Sequence, residues 1–132
     1  MSACPQILPD AGTAEAHTIL VAEDEILIRS LAAEHLRAAG FNVLEASNAA
    51  EAIDVLGSGE PVDLLFTDIA MPGLMNGAML ARWVHAHRPD VQVVLASGSS
   101  ALARSLPGER LFLKPYDLGQ VESYIHDALD SP

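Results

Sequence analysis

The chain has 132 residues, half of them hydrophobic, with 7 basic against 18 acidic side chains and a formal net charge of −11. That length and composition fit one globular domain with a single core, and the acidity excludes nucleic acid and anionic membrane surfaces, both of which need clustered lysine and arginine. The lone cysteine, Cys4, excludes an internal disulfide, and no apolar run approaches the ~18 residues of a membrane span.

The opening "MSACPQILPDAGTAEAH" lacks the basic start and long apolar stretch of a signal peptide. With two prolines, a glycine and no periodicity, residues 1–16 are predicted to be a flexible arm ahead of a domain over 17–130. A reducing cytoplasm is the expected location.

From His17 onward, short apolar runs alternate with amphipathic stretches. "TILVA" (18–22) reads as a buried strand that ends at Glu23 and Asp24. Ile28, Leu31, Ala32, Leu36 and Ala39 then recur at helical spacing until Gly40 stops them. "FNVLEA" (41–46) is the second strand, and Asn48 with Glu51 three residues later predicts a capping box for the next helix. "VDLLFT" (62–67) is the third strand, ended by Asp68. After the loop "IAMPGLMNG", Leu80 and Val84 mark a helix that Pro89 closes. "VQVVLA" (91–96) leads to Ser97, and "SGSSALARSLPGE" leaves room for a short helix only. "RLFL" (110–113) is a fifth strand, followed by Lys114 and Pro115, and Asp117 caps a last helix with Leu118, Val121, Ile125, Ala128 and Leu129 on one face.

Five buried strands alternating with five helical segments predict an α/β fold, a parallel sheet covered on both faces. Ligands of such sheets bind outside the carboxyl ends of the strands. Glu23, Asp24, Asp68, Ser97 and Lys114 each follow a strand at that end, so the topology gathers them at one rim. Lys114 is the chain's single lysine, beside six arginines.

Three carboxylates at one rim repel each other and need a cation when ionised together. Hard oxygen ligands with open positions suit Mg²⁺, which keeps waters and accepts phosphate oxygens. A lysine and a hydroxyl opposite the metal would hold the remaining phosphoryl oxygens, and an aspartate can act as nucleophile and form an acyl phosphate. Asp68, at the end of the middle strand, is the candidate nucleophile. Singly, each residue has an ordinary explanation: a cap, a turn, or acids at a helix start. Five of them, gathered at the ends of four different strands, make coincidence a poor account. His35, His85, His87 and His126 lie on helices without metal-ligand company and read as surface or boundary residues, and Met79 with Trp83 as packing.

The segments "ILVAEDE", "LLFTDIAMPG", "VVLASG" and "LFLKP", in this order and spacing, resemble the receiver domain of two-component response regulators over about residues 17–130. The resemblance implies a flavodoxin-like, doubly wound sheet with strand order 2-1-3-4-5. It implies Asp68 as phosphoacceptor from a histidine kinase or histidine phosphotransfer protein, with Mg²⁺ held by Asp24, Asp68 and the backbone carbonyl of Ala70. Glu23 would reach the metal through water, Ser97 and Lys114 would contact the phosphoryl group, and the bond before Pro115 would be cis. Ser97 and Leu111 mark the two switch positions, and dimerisation on phosphorylation joins the expected partner contacts. Three features depart from the family pattern: Leu111 stands where an aromatic is usual, the stretch from Ser97 to Lys114 is short, and "MPGLMNG" is one residue longer than the common form.

With no output domain expected after the last helix, the leading reading is a stand-alone signalling switch that catalyses its own phosphorylation and dephosphorylation, rather than an enzyme acting on other substrates. A Mg²⁺-dependent phosphatase with an aspartyl nucleophile is the alternative, although its usual second acid, two residues on, is Ala70 here. A flavin or nucleotide binder would want a glycine-rich loop where "AEDE" stands, and a pseudo-receiver docking module would not need the intact five residues.

Overall fold

The computed structural model of the chain describes residues 16–106 and 108–130, so nearly all of the predicted arm lies outside the described residues. The elements alternate through the chain: β1 (Thr18–Ala22), α1 (Ile26–Ala38), β2 (Asn42–Ala46), α2 (Ala49–Gly57), β3 (Leu64–Asp68), α3 (Gly77–His87), β4 (Gln92–Ser97), α4 (Ser100–Arg104), β5 (Arg110–Leu113) and α5 (Leu118–Asp130). The strands form one parallel sheet in the order β2-β1-β3-β4-β5, the flavodoxin-like arrangement. No described helix is long and apolar enough to cross a membrane.

Strand side chains alternate between faces, and the core divides accordingly. Ile19, Val21, Leu64, Phe66, Val94 and Ala96 pack with Ala32, Ala33 and Leu36 of α1 and Val121 and Ile125 of α5. Leu20, Ala22, Leu65, Val93 and Leu95 pack with Ala49, Ala52 and Leu56 of α2 and Leu80, Ala81 and Val84 of α3. Both faces of the central strands are apolar because both are covered, which is why they read as unbroken hydrophobic runs. Each fully buried leucine contributes roughly 1.5–3 kcal/mol by leaving water.

Local chemistry sets the helix ends. Gly40, at φ 101°, ends α1, with its N–H bonded to Arg37 O and that of Phe41 to Leu36 O; this left-handed position suits glycine. At α2 the Asn48 side chain accepts the Glu51 N–H at 2.8 Å, as predicted. The return bond differs from a capping box: the Glu51 carboxylate accepts from the N–H and hydroxyl of Ser47, one residue earlier. Asn76 caps α3 through the Met79 N–H, and the Asp117 carboxylate accepts the Gly119 N–H at the start of α5.

Two expectations need correction. β5 is not buried: Arg110 and Leu113 are exposed, and Leu111 and Phe112 half-buried. It pairs with β4 alone, and α4, of five residues, is too short to cover an edge strand. Trp83 packs against the core, whereas Met79 lies exposed on α3.

Candidate functional site

Because all five strands run the same way, their carboxyl ends share one rim, and the register aligns the chemistry. Ala22 pairs with Thr67, Asp68 with Ala96, and Ser97 with Leu113. Glu23, Asp68, Ser97 and Lys114 therefore each sit within a residue or two of one line across the sheet, with Asp24 next to Glu23.

The carboxylate oxygens of Glu23, Asp24 and Asp68 come within 4.8 Å of one another. Glu23 and Asp68 are buried, 5% and 7% exposed, while Asp24 is open to solvent. The Lys114 ammonium donates to Asp68 Oδ2 at 2.9 Å and lies 3.8 Å from Glu23 Oε1. The other Asp68 oxygen, Oδ1, accepts the Ala70 N–H at 3.3 Å. Lys114 and Asp68 are 46 residues apart, and the chain's single lysine meets its partner through topology alone.

Burial and the crowding of acids shift the protonation of the site. Burial, and then the neighbouring charge of Asp68, push the Glu23 carboxyl up to about 7, against the opposing hydrogen bond from the Glu25 N–H. Burial works against the charged Lys114 ammonium, but its bond to Asp68 and the two nearby carboxylates outweigh this and raise its pKa. Burial likewise raises Tyr116, aided by Glu23. One ammonium among three carboxylates leaves a net negative site, and its donors are all hard oxygens. That donor set fits Mg²⁺.

Ser97 is buried at the end of β4, and its carbonyl accepts the Lys114 N–H at 2.8 Å. Its hydroxyl bonds within its own loop, accepting the Ser99 N–H at 3.0 Å and donating to the Ser99 carbonyl at 3.2 Å. Leu111 pairs with Leu95 and packs half-buried against the cluster under α2 and α3. The Lys114–Pro115 peptide bond is cis.

Two residues of this neighbourhood escape a reading of the sequence. A Cβ on Gly77 would overlap the Asp68 carbonyl oxygen, and the Gly77 N–H bonds Ile69 O at 2.8 Å. Glycine there lets α3 begin directly against the backbone of Asp68. The glycine after "MPGLMN" was visible as loop composition, but not its contact. The second residue, Arg29, donates to the Glu23 carbonyl at 2.9 Å; its position on the first turns of α1 looked like an ordinary polar helix position.

The family described as the response regulator receiver domain matches residues 19–121. The chain belongs to that family. Among curated relatives, this receiver is 33% identical to the response regulator receiver protein CpdR of Brucella abortus, over 84% of this chain and 95% of that protein. It is 32% identical to the sensor kinase CckA of the same organism over 86% of this chain, which spans only 12% of that kinase's length. Among solved structures, a response regulator receiver protein from Sinorhizobium medicae superposes with a TM-score of 0.81 at 31% identity, covering 89% of this chain and 98% of that one. The response regulator TrrA of Thermotoga maritima, solved in complex with Mg²⁺ and BeF, matches at 27% identity and a TM-score of 0.76 over 84% of this receiver and 97% of that chain.

Proposed function

We propose that this receiver accepts a phosphoryl group on Asp68 from a phosphohistidine of a histidine kinase or histidine phosphotransfer protein, and that the acyl phosphate switches the binding of a downstream protein. The observation that carries this is the Lys114 ammonium 2.9 Å from Asp68 Oδ2, beside the Glu23 and Asp24 carboxylates.

Asp24, Asp68 and the Ala70 backbone carbonyl would hold Mg²⁺ directly, with Glu23 acting through water. When bound, the ion supplies neutralisation of charge on the phosphoryl oxygens. An Asp68 carboxylate oxygen attacks phosphorus, the P–N bond to the imidazole breaks, and its electron pair stays on the ring nitrogen, which takes a proton from solvent. Lys114 transfers its hydrogen bond from the carboxylate to a phosphoryl oxygen, and the Ser97 hydroxyl exchanges the Ser99 carbonyl for another. Attack by water on the phosphorus later restores the carboxylate and releases phosphate. The phosphatase reading loses ground at Ala70, where no acid stands to protonate a leaving alcohol.

The test is incubation with acetyl phosphate and MgCl₂ followed by intact-mass spectrometry. One added phosphoryl group is expected, lost on chelating the metal and absent in Asp68→Asn. Undiminished labelling of Asp68→Asn overturns the assignment.

A further inference from the structure

The turn joining β1 to α1 carries two of the three carboxylates, and little apolar burial holds it. Ile26 and Leu27, the first residues of α1, are exposed, and Glu25 at the N-cap makes no side-chain cap. The turn is pinned by polar contacts instead. The Glu23 N–H bonds Ala46 O at 3.0 Å, and the Glu25 N–H bonds Glu23 Oε2 at 3.0 Å. Arg29 Nη1 donates to the Glu23 carbonyl at 2.9 Å, while Nε of the same guanidinium donates to Glu45 Oε1 on β2 at 3.2 Å. The second oxygen of Glu45 lies 3.2 Å from Arg37 Nη1. The Arg29 side chain is 17% exposed against 48% for Arg37, so the inner arginine is the one held in place.

The Glu23 carbonyl belongs to the peptide unit that joins Glu23 to Asp24. That unit is planar, so fixing its oxygen fixes the direction from which Asp24 leaves the backbone. Asp24 is itself exposed, and its aim depends on that plane. We propose that Arg29 is a positioning residue for the cation site: braced on Glu45, it holds the Glu23–Asp24 peptide so that both carboxylates converge with Asp68. The inference rests on the metal-binding reading above.

Charge and positioning predict opposite signs. A guanidinium near a cation site repels the cation, so if proximity were the whole effect, removing it would tighten Mg²⁺ binding. If Arg29 aims the carboxylates, removing it weakens binding. Outer groups that orient metal ligands typically matter at the level of about tenfold or more in affinity. Lysine keeps the charge but lacks the fork that reaches two acceptors at once.

The experiment titrates MgCl₂ into wild type, Arg29→Gln and Arg29→Lys, following the amide resonances of residues 23–25, with denaturant unfolding measured in parallel. Arg29→Gln is expected to bind Mg²⁺ about tenfold more weakly, and Arg29→Lys to remain weaker than wild type despite its charge. A variant that loses stability yet binds as tightly as wild type, or more tightly, makes Arg29 a structural brace and overturns the proposal. If Arg29→Gln does not fold, Arg29→Lys decides. A wild type that fails to bind Mg²⁺ takes down the metal reading together with this one, whereas a binding wild type with unaffected variants sinks positioning alone.

Discussion

β3 and β5 each deliver one half of the Asp68–Lys114 pair, from opposite conditions of burial. β3 lies between β1 and β4, and all five of its residues are buried. β5 pairs only with β4, and its residues are exposed or half-buried under a five-residue helix. The carboxylate is thus mounted on the most constrained strand and the ammonium on the least. A phosphoryl acceptor needs a fixed nucleophile, because misplacement of the reacting atom is costly. In the proposed transfer the cation would have to change partners, and an edge strand with little packing has more freedom to move.

The largest expected effect tests the burial contrast directly. Leu65→Ala on β3, a wholly buried site, should lower the unfolding free energy by about 2–5 kcal/mol. Leu113→Ala on β5, which is 48% exposed, should cost about 0.5 kcal/mol. Equal losses in denaturant unfolding would erase the distinction between the two strands. A smaller effect is expected for Lys114→Arg, which keeps the charge but replaces a compact ammonium with a planar head. Labelling by acetyl phosphate should slow on the order of tenfold, with stability within about 1 kcal/mol of wild type. Normal labelling and normal output would remove the functional reading of the lysine.

Glu23 and Lys114, which both face Asp68, should also differ in pH response. Burial raises the Glu23 carboxyl from 4.5 to about 7. Between those values the folded state binds more protons than the unfolded chain, so this group's contribution is fully present below pH 4.5 and is lost as pH rises through 7. Without Mg²⁺, the stability of wild type relative to Glu23→Gln should therefore fall across that window. Added Mg²⁺ should oppose the fall at the upper end by binding the ionised form. Lys114, raised above 10.5, adds no slope there. A flat difference between the two proteins would contradict the burial argument.

The smallest effect expected is conformational. Ser97 and Lys114 bracket the weakly packed side of the rim, so phosphorylation should change amide exchange most in residues 98–110, with the partner contacting that segment or α5. Leucine at 111 has no polar tip to exchange between water and interior, so Leu111→Ala should lower stability modestly and leave that response in place. A segment that ignores phosphorylation, or a well-folded Leu111→Ala protein in which the response is lost, would show that the coupling runs elsewhere.

Much of this protein is written locally. Five apolar runs alternating with helical spacings, stopped by Gly40 and capped at Asn48 and Asp117, specify a parallel sheet with covered faces, because periodicity and end chemistry act within a few residues. The same parallel rule is enough to send Glu23, Asp24, Asp68, Ser97 and Lys114 to one rim. Other features arise only once the chain has folded. The pairing of Lys114 with Asp68 and Glu23, the bonding of Arg29 to both the Glu23 carbonyl and Glu45, and the contact of Gly77 with the Asp68 backbone have no sequence period. The exposure of β5 was hidden for the same reason: "RLFL" is as apolar as a core strand, and only its place at the edge of the sheet, beneath a short helix, leaves it half in water. Side-chain pattern decides what an element can bury, whereas the order of strands decides whether anything lies there to bury it.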